Sequence, residues 1–213
     1  SGKPYFQPVI NEFQKRCPQG EDQLRLDDRL MDLVSEGYDL AFRGGEPKDS
    51  SFIARKIARN RMLLLASPEF IETYGMPKHV EDLKDLPAAS YSSPSKRVSG
   101  IRYRDANGDI VEQNIKSVFR ANDAEVLLMK AISGNAYVLA PAFILDDEVK
   151  RGDLVPILTD MELLDYSAVY AVYPHRDLPV RTRLFFDAMR EYIGQDIPIW
   201  EANIPYFDTM YKS

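Results

Sequence analysis

Apolar residues near the start of the chain recur at helical spacing: Tyr5, Phe6, Val9, Ile10 and Phe13. That period predicts a helix over 5–16. Pro4 suits its first turn, where a missing N–H costs nothing, and Cys17-Pro18-Gln19-Gly20 ends it. A short strand is expected at 24–26. Asp27 or Asp28 can cap a helix through Leu30, Met31, Leu33 and Val34, with Gly37 as its left-handed stop. Leu40-Ala41-Phe42 reads as a buried strand, and 52–57 and 62–66 as two more. The second of these, Met62-Leu63-Leu64-Leu65-Ala66, is almost wholly apolar. Such a run is expected in a strand buried on both faces, as in a parallel sheet covered by helices.

Further on, Ser67 can cap a helix that has Pro68 at its first position and closes at Gly75. A short helix is expected at 79–86 and a strand at 88–91. The strand leads into the polar loop Ser92-Ser93-Pro94-Ser95. Two strands, 101–105 and 110–115, flank Asn107-Gly108, a hairpin signal because both residues tolerate positive φ. A strand at 118–121 runs into Asn122-Asp123, which can cap the helix of Val126, Leu127, Met129, Lys130 and Ile132. A strand at 137–140 follows, then a helix from Pro141 to Gly152. Strands are expected at 154–158 and 167–173. The last strong helix, 179–193, places Leu184, Phe185, Ala188, Met189 and Tyr192 on one face. After it comes an aromatic tail with Trp200, Tyr206, Phe207 and Tyr211, a composition that implies packing against something. Alternating strands and helices of these lengths indicate an open α/β sheet.

Composition narrows the function classes. At 213 residues the chain is long enough for a substantial core. The 33 acidic and 27 basic residues give a net charge of -6, without the clustered cations that displace counterions from a nucleic-acid duplex. The chain by itself is therefore not expected to bind DNA. No apolar run reaches the ~18 residues of a membrane span. The single cysteine, Cys17, excludes an internal disulfide and a multi-cysteine metal site. A sole cysteine beside a helix end is more often inert than redox-active. His79 and His175 are far apart in sequence, which argues against a histidine metal site. Asp146-Asp147-Glu148 reads as a solvated helix face. No G-x-S-x-G, H-E-x-x-H or P-loop occurs, so neither enzymatic activity nor a cofactor is expected.

Three segments carry a resemblance. Asp32-Leu33-Val34-Ser35-Glu36-Gly37-Tyr38-Asp39-Leu40-Ala41-Phe42-Arg43 is followed by Asp49-Ser50-Ser51-Phe52-Ile53-Ala54-Arg55-Lys56-Ile57 and then Ala66-Ser67-Pro68-Glu69-Phe70. Their order and spacing resemble the effector-binding domain of LysR-type transcriptional regulators. Phe119-Arg120-Ala121-Asn122-Asp123, the run 131–141 and Arg151-Gly152-Asp153-Leu154-Val155 extend the likeness. The chain departs from the usual G-x-G at Gly134-Asn135-Ala136 and has Arg102-Tyr103 where many members have tryptophan. Both departures are expected near the ligand side of the second lobe.

The resemblance implies a two-lobed α/β fold of the type II periplasmic-binding-protein kind, with open, mostly parallel sheets and a ligand cleft between the lobes. Residues 1–66 and 172–213 would form lobe one and 67–171 lobe two. A strand usually precedes the first helix in the family. The implied protein is a cytoplasmic bacterial regulator in which a small effector controls DNA binding by a separate helix-turn-helix domain. It would be a homodimer or tetramer, with the helix at 5–16 pairing antiparallel with the helix at 124–133 of a partner. Such pairing would account for Tyr5 and Phe6.

Candidate ligand residues follow from chain position. Ser1, Gly2 and Lys3 would present free N–H groups at a positive helix end, which suits an anion. Arg43, followed by Gly44 and Gly45, lies past the carboxyl end of a strand and could clamp a carboxylate, or could simply pair with Asp39 or Glu46. Ser92, Ser93 and Ser95 could bond a ligand or merely be solvated. Asn122 and Asp123 could face the ligand or only cap a helix. Ala140, Pro141 and Phe143 would line a wall or pack in the core. Two other readings share the scaffold. A secreted solute-binding protein of a transporter would carry a signal peptide upstream, and an enzyme would need a nucleophile or paired acids in the cleft.

Overall fold

Residues 63–66 have no exposed surface, so the apolar run noted in the sequence is buried on both faces. In the computed structural model, residues 3–16, 41–44, 51–94, 96–164, 167–174, 180–194 and 196–212 are described. In chain order their elements begin with α1 (Lys3–Arg16), β1 (Ala41–Gly44), β2 (Phe52–Asn60), β3 (Met62–Ala66) and α2 (Pro68–Tyr74). There follow β4 (Pro87–Tyr91), β5 (Gly100–Arg104), β6 (Ile110–Asn114), β7 (Lys116–Ala121) and α3 (Ala124–Ile132). After these come β8 (Tyr137–Pro141), α4 (Glu148–Arg151), β9 (Val155–Pro156) and β10 (Glu162–Leu163). The chain closes with β11 (Ser167–Pro174), α5 (Val180–Ile193) and α6 (Ile199–Ala202). The strand and helix expected over 24–36 lie outside the described residues.

The chain divides into two compact units. One comprises Arg61–Tyr166 and Glu201–Ser213, the other Gly2–Asn60 and Ser167–Trp200. The divisions fall at Asn60/Arg61 and Tyr166/Ser167, not near Ala66-Ser67 and Ala171-Val172, and the tail from Glu201 onward joins the unit opposite to the one expected. Strand pairing explains the first two shifts. β3 forms its ladders with β8 and β9, which fixes it in the first unit. β11 pairs along its whole length with β2 in the second.

The first unit holds a five-stranded sheet of order β7-β4-β8-β3-β9 and a small sheet of order β10-β5-β6. The five-stranded sheet is mixed, and the small sheet is antiparallel. Among the described strands only β4–β7 and β4–β8 pair in parallel, and β3 is antiparallel to both of its neighbours. Continuous apolarity therefore reported burial and not strand direction. α3 packs across β4, β7 and β8. Ser67 caps α2 by accepting from Phe70 N–H at 3.1 Å, and Phe70 is buried against Tyr137. The hairpin turn is wider than expected. Asp105 Oδ1 accepts from Asn107 and Asp109 N–H, and Gly108 takes positive φ while Asn107 does not. Pro141 ends β8 and does not start a long helix. A 3₁₀ turn, Ala142–Ile144, follows, and α4 is a separate single turn closed by left-handed Gly152.

The second unit holds the sheet β1-β11-β2, wholly antiparallel. α5 packs on α1 and on β2. α1 continues through Pro8 and buries Tyr5, Val9 and Ile10. On α5 the buried residues are Phe186, Met189 and Ile193, whereas Leu184 and Tyr192 are exposed. The apolar stripe is thus turned from the one read in the sequence, because both faces of this helix carry large apolar residues.

The aromatic tail is committed to both units. Trp200 is fully buried and meets Tyr5 edge-on at 5.7 Å in the second unit. In the first unit, the Tyr211 hydroxyl lies 2.6 Å from Ile157 O and accepts from Leu64 N–H at 3.1 Å. It stands beside β3 at the place where β9 has departed. Burial pushes this phenol well above its ordinary pKa, so it stays protonated as a donor.

Tyr211→Phe should therefore lower unfolding free energy by about 1–3 kcal/mol, the cost of leaving buried backbone groups unsatisfied, as read from denaturant midpoints. The folded protein keeps this proton at pH values where the unfolded chain, with a phenol near pKa ~10, has released it. The Tyr211 contribution is thus complete below about pH 10 and declines above it. The Phe variant should show a shallower alkaline loss of stability than the parent.

Candidate functional site

Parallel pairing gives the first unit a polar edge. β4 lies between β7 and β8 and runs parallel to both, so all three strands end on the same side of the sheet. β3 runs the opposite way, with Met62 opposite Pro141, and so begins there. This is the carboxyl edge at which open α/β sheets take ligands. Seven of the candidate residues gather on it: Ser92, Ser93, Asn122, Asp123, Ala140, Pro141 and Phe143.

Their local bonds separate ligand-facing roles from structural ones. Asp123 accepts from Glu125 N–H at 2.8 Å and Val126 N–H at 3.3 Å, which is helix capping. Asn122 beside it is exposed, and its side chain makes no hydrogen bond among the described residues. Ala140 is buried opposite Leu63 and belongs to the core. Pro141 and Phe143 are half-buried. Ser92 donates its N–H to Ala121 O at 2.9 Å, which ties the β4 and β7 ends together. The Ser93 hydroxyl closes a turn by accepting from Lys96 N–H at 3.1 Å.

That turn brings in a residue the sequence reading missed. Ser92 and Arg97 form an isolated antiparallel bridge. The bonds around them, Ser93 N–H to Lys96 O at 2.7 Å and Val98 N–H to Tyr91 O at 2.9 Å, make Ser92–Arg97 a non-hydrogen-bonded pair. In such a pair the two side chains lie on one face at their closest approach. Arg97 is exposed and has no carboxylate partner among the described residues. Serine at the first position of the turn with Pro94 at the second was the available signal.

The remaining candidates lie elsewhere. In the second unit Arg43 and Gly44 occupy the end of β1, opposite Tyr170 and Val169 of β11. Lys3 is the first residue of α1. Ser1, Gly2, Gly45, Ser95, and the possible Arg43 partners Asp39 and Glu46, lie outside the described residues, as does Cys17. Gly134-Asn135-Ala136 is not on the candidate edge. It precedes β8 at the opposite end of the sheet, where Gly134 has positive φ against Glu69. Arg102 and Tyr103 belong to the small sheet, opposite Glu112 and Leu163.

Comparison with known proteins agrees with this architecture. Residues 1–194 match the LysR substrate binding domain family. The chain is 30% identical over 198 residues to the HTH-type transcriptional regulator DmlR of Escherichia coli, covering 92% of this chain and 64% of DmlR. It is 27% identical to the HTH-type transcriptional regulator CrgA of Neisseria meningitidis, covering 89% of this chain and 63% of CrgA. The chain thus spans less than two thirds of the length of these relatives. Among solved structures, the CrgA regulatory domain superimposes with a TM-score of 0.76 at 27% identity, covering 88% of this chain and 91% of that one. The regulatory domain of AphB from Vibrio vulnificus gives 0.68 at 30% identity, covering 89% and 92%.

Asp123→Ala should cost about 0.5–2 kcal/mol, as for loss of a helix cap. Asn122→Ala should stay within about 0.5 kcal/mol. Equilibrium denaturation of the two variants checks the division of roles.

Proposed function

We propose, from the premise that the chain belongs to the LysR substrate-binding domain family, that it is the effector sensor of a bacterial transcriptional regulator. The family and its relatives are transcriptional regulators and not enzymes, which leaves the transporter-protein and enzyme readings unsupported. A small anionic effector would be taken at the carboxyl edge of β4, β7 and β8. The observation that carries this reading is Arg97 beside Ser92 on that edge, a cation without an acidic partner among the described residues. Asn122 adds an amide with no hydrogen-bond partner among the described residues, and Phe143 an apolar wall. A guanidinium next to hydroxyl and amide groups suits a carboxylate or another oxyanion. In the intact cytoplasmic protein, an effector with different affinity for two conformations would shift their balance and so alter DNA binding by a domain outside this chain.

Thermal unfolding against small carboxylates, aromatic acids, amino acids and inorganic sulfate tests the proposal. A compound at 100 times its dissociation constant should stabilise the fold by about 2.7 kcal/mol, a shift of several degrees. Arg97→Gln should remove most of that shift for anions, and Asn122→Ala part of it. Stabilisation by neutral compounds alone, unaffected by Arg97→Gln, would refute the anionic assignment. Absence of any shift would refute effector binding at this edge.

Assembly belongs to the same proposal. On α3, Val126, Met129 and Ile132 are exposed at helical spacing, Met129 at 69%, an apolar stripe suited to a partner helix. Tyr5 does not supply the other half, since it is buried against Trp200. Among the described side chains of α1 the exposed ones are Gln7, Pro8, Asn11, Glu12 and Lys15, so an α1–α3 pairing would bring these groups to that stripe. Met129→Glu should shift the protein toward monomer in sedimentation, with its melting temperature kept within a degree or two when measured at a concentration where the parent is already dissociated.

A further inference from the structure

Arg61 joins two features that are otherwise separate. It is the first residue of the first unit after the chain leaves the second, and only 7% of it is exposed. Its guanidinium donates to the carbonyl oxygens of Phe207 at 3.2 Å, of Tyr211 at 2.9 Å and of Met210. It also lies over the Phe207 ring, 4.2 Å from the centroid. One arginine thus holds both ends of the 207–211 segment. That segment lies past residue 194, where the family match ends.

The main chain of Arg61 does something different. Its carbonyl accepts from Ala142 N–H at 2.8 Å. Ala142 stands between Pro141 and Phe143, the half-buried pair on the candidate edge, and Met62 is the ladder partner of Pro141. Anything that fixes the plane of the Arg61 peptide therefore fixes the turn carrying Phe143.

We propose that Arg61 is a positioning residue through which the tail sets the geometry of the effector edge. The inference rests on the effector reading of that edge for its functional meaning, although its physical content can be measured without an effector. A long buried side chain with a planar fork has few conformations once both arms are bonded, so the docked tail constrains the Arg61 backbone and with it the Ala142 amide. If the tail lifts, the fork loses its acceptors, the buried cation must find water, and the 141–144 turn is released.

Hydrogen exchange of the whole chain without ligand tests this. Tyr211→Phe removes the hydroxyl beside β3, and Arg61→Lys keeps the charge and the Tyr211–Leu64 bonds but removes the fork. In both variants, peptides spanning 138–145 should be accelerated at least about tenfold more than peptides over 124–132 in α3, whose exchange follows any change in global stability. Faster exchange confined to 204–212 would overturn the proposal and leave the tail a local anchor. A uniform acceleration across both units would equally overturn it, because the tail would then act on global stability. Arg97→Gln, measured beside them with sulfate and succinate as probes, keeps the two claims apart. It should change ligand-induced stabilisation and leave exchange at 138–145 unchanged. Loss of the Arg97 effect refutes the effector edge, and unchanged exchange in Arg61→Lys refutes the positioning role.

Discussion

The parallel ladders on either side of β4 are the constraint on which the rest of the first unit depends. A strand paired in parallel with both neighbours places three carboxyl ends on one edge, and the loops that follow must share it. β4 with β7 brings Tyr91 beside Ala121, and β4 with β8 brings Ala89 beside Val138. The bond from Ser92 N–H to Ala121 O extends the first ladder one residue beyond the strand, so the loop leaves from a fixed point. α3 starts directly after β7 and packs back across the same strands, which leaves its first turn at the edge. Residues 92–94, 122–123 and 141–143 lie on one edge for this reason, although they are far apart in sequence.

The sequence announced the elements better than their partners. Ser67-Pro68 with Gly75, Asp123 before an apolar helix, and Gly152 after α4 are local signals. Each states its chemistry within four residues, and the structure uses each one as a cap or stop. The candidate edge was legible to the same extent, because a polar residue following a predicted strand is a local pattern. Strand direction was not, since Met62-Leu63-Leu64-Leu65-Ala66 is equally apolar in a parallel or an antiparallel ladder. Pro141 was misread because proline suits both a first helical turn and the end of a strand, and only the pairing with Met62 distinguishes them. Arg97 and Arg61 were missed for a common reason. A charged residue in a loop or between two strands carries no periodicity, and its role appears only when Ser92 or the tail arrives beside it.

Arg61 also shows why a buried cation can be tolerated here. Removing a guanidinium from water costs several kcal/mol unless its donors are satisfied. Three carbonyl acceptors and an aromatic face meet much of that demand, although Nε has no acceptor among the described residues. Carbonyl oxygens are weaker partners than a carboxylate, so the arrangement is sensitive to where the tail lies. The three residues whose carbonyls serve it come from a segment with two tyrosines at positive φ, Tyr206 and Tyr211. Such residues hold that conformation only when surrounding contacts determine it. Docking and backbone geometry therefore stand or fall together, which is the behaviour of a seated segment and not of a tail lying loosely on a surface.

The groups left over after these commitments bound what the edge can recognise. Asp123 is engaged by two helix amides, Ser93 by its own turn and Ala140 by the core, so none of the three is free to choose between ligands. Arg97 has no carboxylate partner and the Asn122 side chain no hydrogen bond among the described residues, and the Ser92 side chain shares a face with Arg97. A ligand that brings an oxyanion to Arg97 gains a charge-assisted bond, whereas a neutral isostere gains only contact with Phe143 and its neighbours. Discrimination by charge should thus exceed discrimination by size. An extra methylene against a half-buried aromatic is worth only about 1–3 kcal/mol even in a closed pocket. On the proposed reading, such a sensor would read the class of its effector through one guanidinium, and would read shape through a wall whose position would depend on how firmly the peptide at Arg61 is held.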